Sequence, residues 1–169
     1  RAQLLLGSSY LKMGKTAMAE ERSRQAKERF PETRAFQWLL AESLLQQQKF
    51  EEALDHYNQV NEALKRRQSV HPMQVSQERV QVRIGQVHQA IAREAYQNNQ
   101  PKKALKEMER AVESMSDSLQ AHKNYAMLLM EEEQYESAIE AIDRAQMKFP
   151  ENSDLLKMTA SAYYQKEDQ

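Results

Sequence analysis

The sequence of 169 residues has no cysteine, only three glycines and four prolines, and almost no net charge. Without cysteine the chain can form neither disulfides nor thiolate metal sites, although this fixes no cellular compartment. So few glycines and prolines leave little material for the turns of a β-rich fold. Lys and Arg total 24 against 25 Asp and Glu. The net charge of −1 therefore predicts no basic surface for nucleic acid or for an anionic membrane.

Long hydrophobic runs are missing as well. No stretch approaches the roughly 20 apolar residues that are needed to span a bilayer, so we expect no membrane insertion. No charged segment followed by an apolar one opens the chain as a secretion signal would. Because the sequence begins with Arg1 inside a helical pattern, we expect an excised fragment or a processed chain. The localisation stays open, with the cytoplasm as the default and the bacterial periplasm as the alternative.

Apolar residues make up 40% of the sequence, yet the mean hydropathy is −0.88. This combination is typical of amphipathic helices, which carry one apolar stripe and a charged opposite face. Residues 121–150 show the pattern as two helices around a short polar turn, ending at Pro150. Their apolar faces hold Tyr125, Ala126 and Leu129 in the first helix and Ala138, Ile142 and Ala145 in the second. Because alanine lets two helices approach closely, this stretch predicts a packed helical hairpin.

The hairpin pattern recurs along the chain with a period of 34 residues. In the second helices, Ala19 and Ala53 are 34 residues apart, and so are Ala104 and Ala138. The first helices keep the same interval, with small residues at Gly7 and Ala41 and at Ala92, Ala126 and Ala160. The alternative is an ordinary helical bundle whose spacing coincides by chance.

This pattern resembles the tetratricopeptide repeat, a helix–turn–helix unit whose first helix carries a leucine, a small residue and an aromatic residue. The corresponding residues are Leu6–Gly7–Tyr10, Leu40–Ala41–Leu44, Ile91–Ala92–Ala95 and Tyr125–Ala126–Leu129. Two departures are Trp38, one position beyond the family's tryptophan place, and Pro101, which replaces an aromatic residue. The resemblance implies an all-α, right-handed solenoid of antiparallel helix pairs in a single domain over residues 1–169. Its repeats would span residues 1–33, 34–68, 76–118 and 119–152, followed by a terminal helix over 153–166.

One interval is longer than the others. Ala53 and Ala104 are 51 residues apart, which exceeds the period by 17. The excess lies around residues 65–83, where Pro72 prevents one continuous helix. We predict two overlong helices that flank a turn near residues 69–72. The apolar residues of this insertion are Val75, Val80, Val82 and Ile84. They are covered either by the companion extension, which we favour, or by another chain, and a merely tolerated surface insertion is the alternative.

No set of residues suited to catalysis is recognisable. The four histidines lie in separate segments and match no metal-binding spacing; they are His56, His71, His88 and His122. His88 and His122 occupy the same place in successive repeats, where we expect them to pack against a neighbouring helix. No glycine-rich phosphate loop is present. We therefore expect no enzyme, and no catalytic, metal-binding or cofactor-binding residues.

In tetratricopeptide repeats, ligands usually lie in the concave groove that the first helices form. The resemblance thus implies a binding stripe along these helices, at spacings of three and four. The predicted groove residues are Leu4, Leu11, Trp38, Glu42, Leu45, Gln89, Arg93, Tyr96, Lys123, Met127, Met130, Lys157 and Tyr164. The alternative is that they merely bury against adjacent helices, and for Trp38 we weigh groove and core equally.

The family subtype that binds a carboxyl terminus carries a lysine–asparagine set on successive first helices, and only Asn124 fits it here. We therefore expect a protein-interaction scaffold that binds a peptide or helix of a partner without a chemical step. Two alternatives stay open: self-association into a homo-oligomer, and a substrate-recruiting or regulatory segment of a larger enzyme.

Overall fold

The computed structural model describes residues 2–31, 33–66 and 75–167, and all regular secondary structure in these ranges is helical. The helices are α1 (Ala2–Lys12), α2 (Thr16–Arg29), α3 (Arg34–Gln46), α4 (Phe50–Lys65), α5 (Gln77–Gln97), α6 (Pro101–Ser114), α7 (Leu119–Glu131), α8 (Tyr135–Lys148) and α9 (Ser153–Glu167). The predicted all-α fold of helix pairs is confirmed. The chain divides within α5 into two compact units, residues 1–87 and residues 88–169. The single domain over residues 1–169 stays a prediction.

Unit 1 (residues 1–87) is built from consecutive helix pairs, in which α1 packs on α2, α2 on α3 and α3 on α4. One apolar cluster joins α1, α2 and α3 through Leu4, Ala26, Ala35, Phe36 and Leu39. Gly7 lies beside it, and a Cβ atom at this position would be 3.2 Å from Cδ1 of Leu39. The small residue therefore permits the close approach of α1 and α3.

Unit 2 (residues 88–169) repeats this arrangement, with α6 packed on α7, α7 on α8 and α8 on α9. Ala95, Ala104 and Leu128 pack together and so join the end of α5 to α6 and α7. A second cluster links α7, α8 and α9. Its buried members are Ala126, Ile139, Ile142, Ala145, Leu155 and Ala162.

The small residues that define the period are buried where helices meet. Ala19, Ala53, Ala104 and Ala138 are all fully buried, as the hairpin pattern predicts. Ala160 differs, since it is exposed although its counterpart Ala126 is buried. The reason is that Ala126 packs against α8, whereas in the described part of the chain no helix follows α9 that could cover Ala160 in the same way.

Four first helices end in the same backbone motif. Gly14, Gln48, Asn99 and Glu133 each adopt a left-handed conformation, with φ between 56° and 69°. In each turn the next N–H bonds to a carbonyl five residues earlier, for example Lys49 N–H to Leu44 O at 3.0 Å. This is the Schellman motif, which satisfies the last carbonyls of a helix.

The insertion lengthens mainly α5, which has 21 residues, while α4 has 16 and α6 and α8 have 14 each. Val75, Val80 and Ile84 are buried within unit 1, whereas Val82 is exposed. The start of α5 reaches α4 through a hydrogen bond from Gln81 Nε2 to Asn61 Oδ1 at 3.1 Å. The apolar face of this helix is thus covered by the chain itself. The predicted turn at residues 69–72 lies outside the described residues.

Candidate functional site

A groove in unit 2 brings together four of the predicted binding residues. It encloses about 240 Å³ between α5 and α7, above Met108 of α6. Gln89, Arg93 and Tyr96 line it from α5, and Met127 lines it from α7. The other lining residues are Ala92, Met108, Asn124, Leu128 and Glu131.

The local sequence explains why these side chains share one surface. Residues three and four positions apart lie on the same face of a helix. Gln89, Arg93 and Tyr96 follow this spacing on α5, and Asn124, Met127 and Glu131 follow it on α7. The buried contact of Leu128 with Ala95 and Ala104 holds the two helices beside each other. The groove is therefore a direct product of the repeat packing.

One end of the groove is negatively charged. The charge of the Glu131 carboxylate beside Tyr96, together with the hydrogen bond that this carboxylate accepts, raises the pKa of the phenol. Glu132 contributes to the same shift. Tyr96 and Glu131 thus line the same end of the groove.

A second cavity of about 220 Å³ adjoins the first along α7. Met127, Met130 and Glu131 line it from α7, and Gln165 lines it from α9. Met127 and Glu131 belong to both cavities, so the exposed surface continues across α7. Met130 is half-buried and also packs on the core of unit 2, which gives it a structural role in addition.

The predicted residues at the α9 side lie outside both cavities. Lys123 is engaged, because its Nζ atom lies 2.6 Å from Oδ2 of Asp154. The hydrogen bond and charge of Lys123 lower the pKa of Asp154. Lys157 and Tyr164 are exposed on α9, but neither lines the two cavities described above.

In unit 1 the corresponding stripe is used for packing. Leu4 is buried in the apolar core, and Leu11 packs against the same cluster. Trp38 is only 1% exposed. Its ring contacts Tyr57 edge-on at 5.3 Å, and the Arg79 guanidinium lies 5.1 Å from the ring centroid. Leu4 and Trp38 are therefore buried within unit 1, which for Trp38 is the core alternative.

Glu42 is also engaged within unit 1. Its carboxylate accepts hydrogen bonds from Arg83 Nε and from the Tyr57 hydroxyl, each at 2.8 Å. Burial first, and then the neighbouring Glu42 carboxylate, raise the pKa of Tyr57 far above its ordinary value. Leu45 is half-buried. Glu42 thus joins α5 and α4 to α3, and its carboxylate is engaged in contacts within unit 1.

Some groove residues were not predicted from the sequence. Glu131 lies four positions after Met127 and could have been found by extending the α7 stripe by one turn. Met108 offers no such signal, because it comes from a second helix and reaches the groove only through packing on α7.

Among the residues described here, no group of three or more His, Asp or Glu side chains is placed to hold a metal ion. His88 is buried, with Nδ1 at 2.6 Å from Oε2 of Glu107. His122 is half-buried, and its ring packs on Phe149 at a centroid distance of 5.9 Å. Both histidines are thus packed, as predicted. In the described ranges no helix is long and apolar enough to cross a membrane.

Two sequence models of the tetratricopeptide repeat match the chain, over residues 4–66 and residues 95–162. The chain belongs to the tetratricopeptide repeat family. Its helix pairs are accordingly tetratricopeptide repeats, and such repeats form protein-interaction scaffolds. A search of curated protein sequences gives no match.

Solved structures with the same repeat fold cover nearly the whole chain. YrrB, described as a TPR protein with an unusual peptide-binding site, aligns with 99% of this chain and 77% of its own, at a TM-score of 0.56 and 17% identity. MamA aligns with 98% of this chain and 81% of its own, at a TM-score of 0.58 and 11% identity. At such identities the likeness shows the tetratricopeptide solenoid fold alone.

Proposed function

We propose that this tetratricopeptide repeat protein binds a peptide or helix of a partner protein in the groove of unit 2, without a chemical step. The observation that carries the proposal is the exposure of large apolar side chains along this groove. Tyr96 is 43% exposed and Met127 is 48% exposed. In unit 1, by contrast, Trp38 and Glu42 of the same stripe are engaged in internal contacts.

The size of the groove supports a peptide. Pockets for whole small molecules enclose about 300–1,000 Å³. The two adjoining cavities measure about 240 and 220 Å³ and share Met127. Each volume suits one or two side chains, and the shared boundary suits consecutive side chains of one segment.

The side chains that line the groove are of the types that contribute most to binding. Tyrosine and arginine are enriched among interface residues whose truncation weakens binding strongly. Methionine adds an adaptable apolar surface, because its unbranched side chain adopts many rotamers. Tyr96, Arg93 and Met127 therefore form the expected centre of the interface.

Selection from a random-peptide display library tests this proposal. The library is selected on the wild-type protein and on Met127→Glu, which places a charge in the groove. Met147→Glu is the matched control, because Met147 is 82% exposed on α8 and does not line the groove. We expect peptides that bind wild type and Met147→Glu but lose binding to Met127→Glu. Enriched peptides that bind all three proteins equally would contradict the proposal.

Self-association through α9 is a second candidate, favoured by its exposed apolar face. Leu156, Tyr163 and Tyr164 are 57%, 50% and 68% exposed. Ala126 and Leu129, the counterparts in α7 of Ala160 and Tyr163, are by contrast only 1% and 2% exposed. An antiparallel pair of α9 helices centred on Ala160 would place Leu156 opposite Tyr164 of a second copy.

Sedimentation equilibrium over a range of protein concentrations tests the second candidate. A mass that rises with concentration, and that returns to the monomer value in Leu156→Ser/Tyr163→Ser, is the expected result. A monomeric mass at all concentrations for the wild-type chain would exclude this pairing.

A further inference from the structure

We infer that the segment bound in the unit 2 groove presents an acidic side chain to Arg93, next to an apolar side chain above Met127. This inference rests on the proposed function and specifies the chemistry of the partner. It follows from which polar groups of the groove are already engaged and which are not.

The polar groups at the rim of the groove differ in their partners. Glu131 lines the cavity together with Tyr96, and Asn124 Oδ1 accepts a hydrogen bond from Gln120 Nε2 at 2.7 Å. Arg93, in contrast, has no hydrogen bond or ion pair with any residue in the described part of the chain. It is exposed and lines the groove. Arg93 is therefore a cation of the groove whose hydrogen-bond donors are available to a ligand.

A segment that binds over Arg93 has to provide hydrogen-bond acceptors and negative charge for its guanidinium group. The guanidinium carries five donors and stays charged at any physiological pH. Covering it with an apolar segment would remove its hydration without a replacement, which is strongly unfavourable. A carboxylate matches it in charge and can accept two parallel hydrogen bonds. An acidic residue is accordingly the side chain that this position selects.

The apolar residues around Arg93 also favour an apolar side chain in the bound segment. Met108, Met127 and Leu128 line the same cavity, together with the small Ala92. Arg93 and Met127 occupy equivalent places in successive repeats, 34 residues apart, and both line this cavity. A segment that reaches Arg93 with an acid therefore lays a neighbouring side chain on these methionines.

The negative end of the groove fixes the direction of the segment. Tyr96 and Glu131 line the same cavity from the carboxyl-terminal ends of α5 and α7. Tyr96 lies three residues after Arg93, or about 4.5 Å along the helix axis. An acid displaced toward Glu131 would meet like charge, which the negative end of the α7 helix dipole increases. The acid is thus accepted at Arg93 and repelled at the other end.

A charge-reversal experiment tests the inference. Display selections are run in parallel on the wild-type protein, on Arg93→Glu and on Lys106→Glu. Both variants replace a cation by glutamate and therefore change the net charge equally. Lys106 is exposed on α6 and does not line the groove, so it serves as the control. We expect peptides with an acidic residue beside an apolar one on wild type and on Lys106→Glu, and basic residues in place of the acid on Arg93→Glu. One selected peptide, measured by calorimetry, should bind Arg93→Gln roughly tenfold more weakly or worse, with a smaller dependence on salt.

The outcomes separate this inference from the proposed function. Peptides that require Met127 but show no acid, and whose selection is the same on Arg93→Glu, would overturn the inference and leave groove binding intact. Peptides that are insensitive to Met127→Glu would overturn both. An inverted charge preference confined to Arg93→Glu would support both.

Discussion

Glu42 and Met127 hold equivalent places in their repeats but have opposite surroundings. Glu42 binds Arg83 and Tyr57 inside unit 1, whereas Met127 is 48% exposed on a groove. The difference comes from the residues opposite each position, since α5 brings an arginine to Glu42. A position in the repeat therefore does not determine whether a side chain is available to a partner.

The four left-handed residues at the helix ends allow a direct test of backbone conformation. Left-handed φ is unfavourable for residues other than glycine by about 1–2 kcal/mol. At Gly14 a Cβ atom would meet nothing within 4 Å, so a substitution there reports on the backbone alone. We expect Gly14→Ala to lower the free energy of unfolding by about 1 kcal/mol and Gln48→Gly to raise it by up to about 1 kcal/mol. Urea unfolding at pH 7 measures both, and changes of the same sign would refute the assignment of these turns.

Glu20 predicts how stability depends on pH. Although desolvation raises its pKa, hydrogen bonds from Arg24, Gln47 and Lys49 lower it from 4.5 to about 2. The folded state thus holds this carboxylate more strongly ionised than the unfolded chain does. Its contribution to stability is complete above pH 4.5 and is lost as the pH falls towards 2.

We expect Glu20→Gln to be less stable than wild type at pH 7, with the difference shrinking between pH 4.5 and 2. Urea titrations across this pH range provide the measurement, and Glu28→Gln on the exposed face of α2 is the control. A stability difference that does not change with pH would show that the hydrogen bonds do not favour the ionised form.

At the scale of elements, the extension of α5 is part of the unit 1 core. Val80 is fully buried, while Val82 on the same helix is 39% exposed. We expect Val80→Ala to lower the free energy of unfolding by about 1–3 kcal/mol through loss of burial and the resulting cavity. Val82→Ala should change it by less than about 0.5 kcal/mol. Chemical denaturation compares the two variants, and equal effects would mean that the start of α5 does not pack as described.

The sequence predicts the helical elements well because a helix is determined mainly by the spacing of apolar residues within one short segment. The spacing of apolar residues identifies each helix, and the 34-residue intervals from Ala19 to Ala53 and from Ala104 to Ala138 locate the hairpins on either side of the insertion. The long α5 was predicted from the interval that exceeds the period.

The binding site was predicted only in part because its availability depends on contacts between distant residues. Arg93 and Met127 line one cavity, and helical spacing is enough to place both on the same stripe. It could not show that Arg79 covers Trp38, because these residues are 41 positions apart and separated by the insertion. Whether a neighbouring helix buries a side chain depends on the tertiary structure, and the spacing of residues within one helix does not reveal it.

For the molecule as a whole, the two units have different roles in this account. Unit 1 directs its polar stripe inward, with Glu42 and Trp38 held by α5. Unit 2 leaves an apolar and charged surface open around Met127 and Arg93. The proposed interaction with a partner is therefore located in unit 2.

The affinity of a groove-selected peptide for Met127→Ala, measured by calorimetry alongside the thermal melt of the same variant, tests this account most directly. Because Met127 is 48% exposed and lies between the two cavities, its side chain should contribute more to binding than to folding. We predict binding weaker by about 1–2 kcal/mol and a melting temperature close to that of the wild-type protein. Unchanged affinity, or a melting temperature lowered as for a core residue, would contradict the assignment of the groove as the binding site.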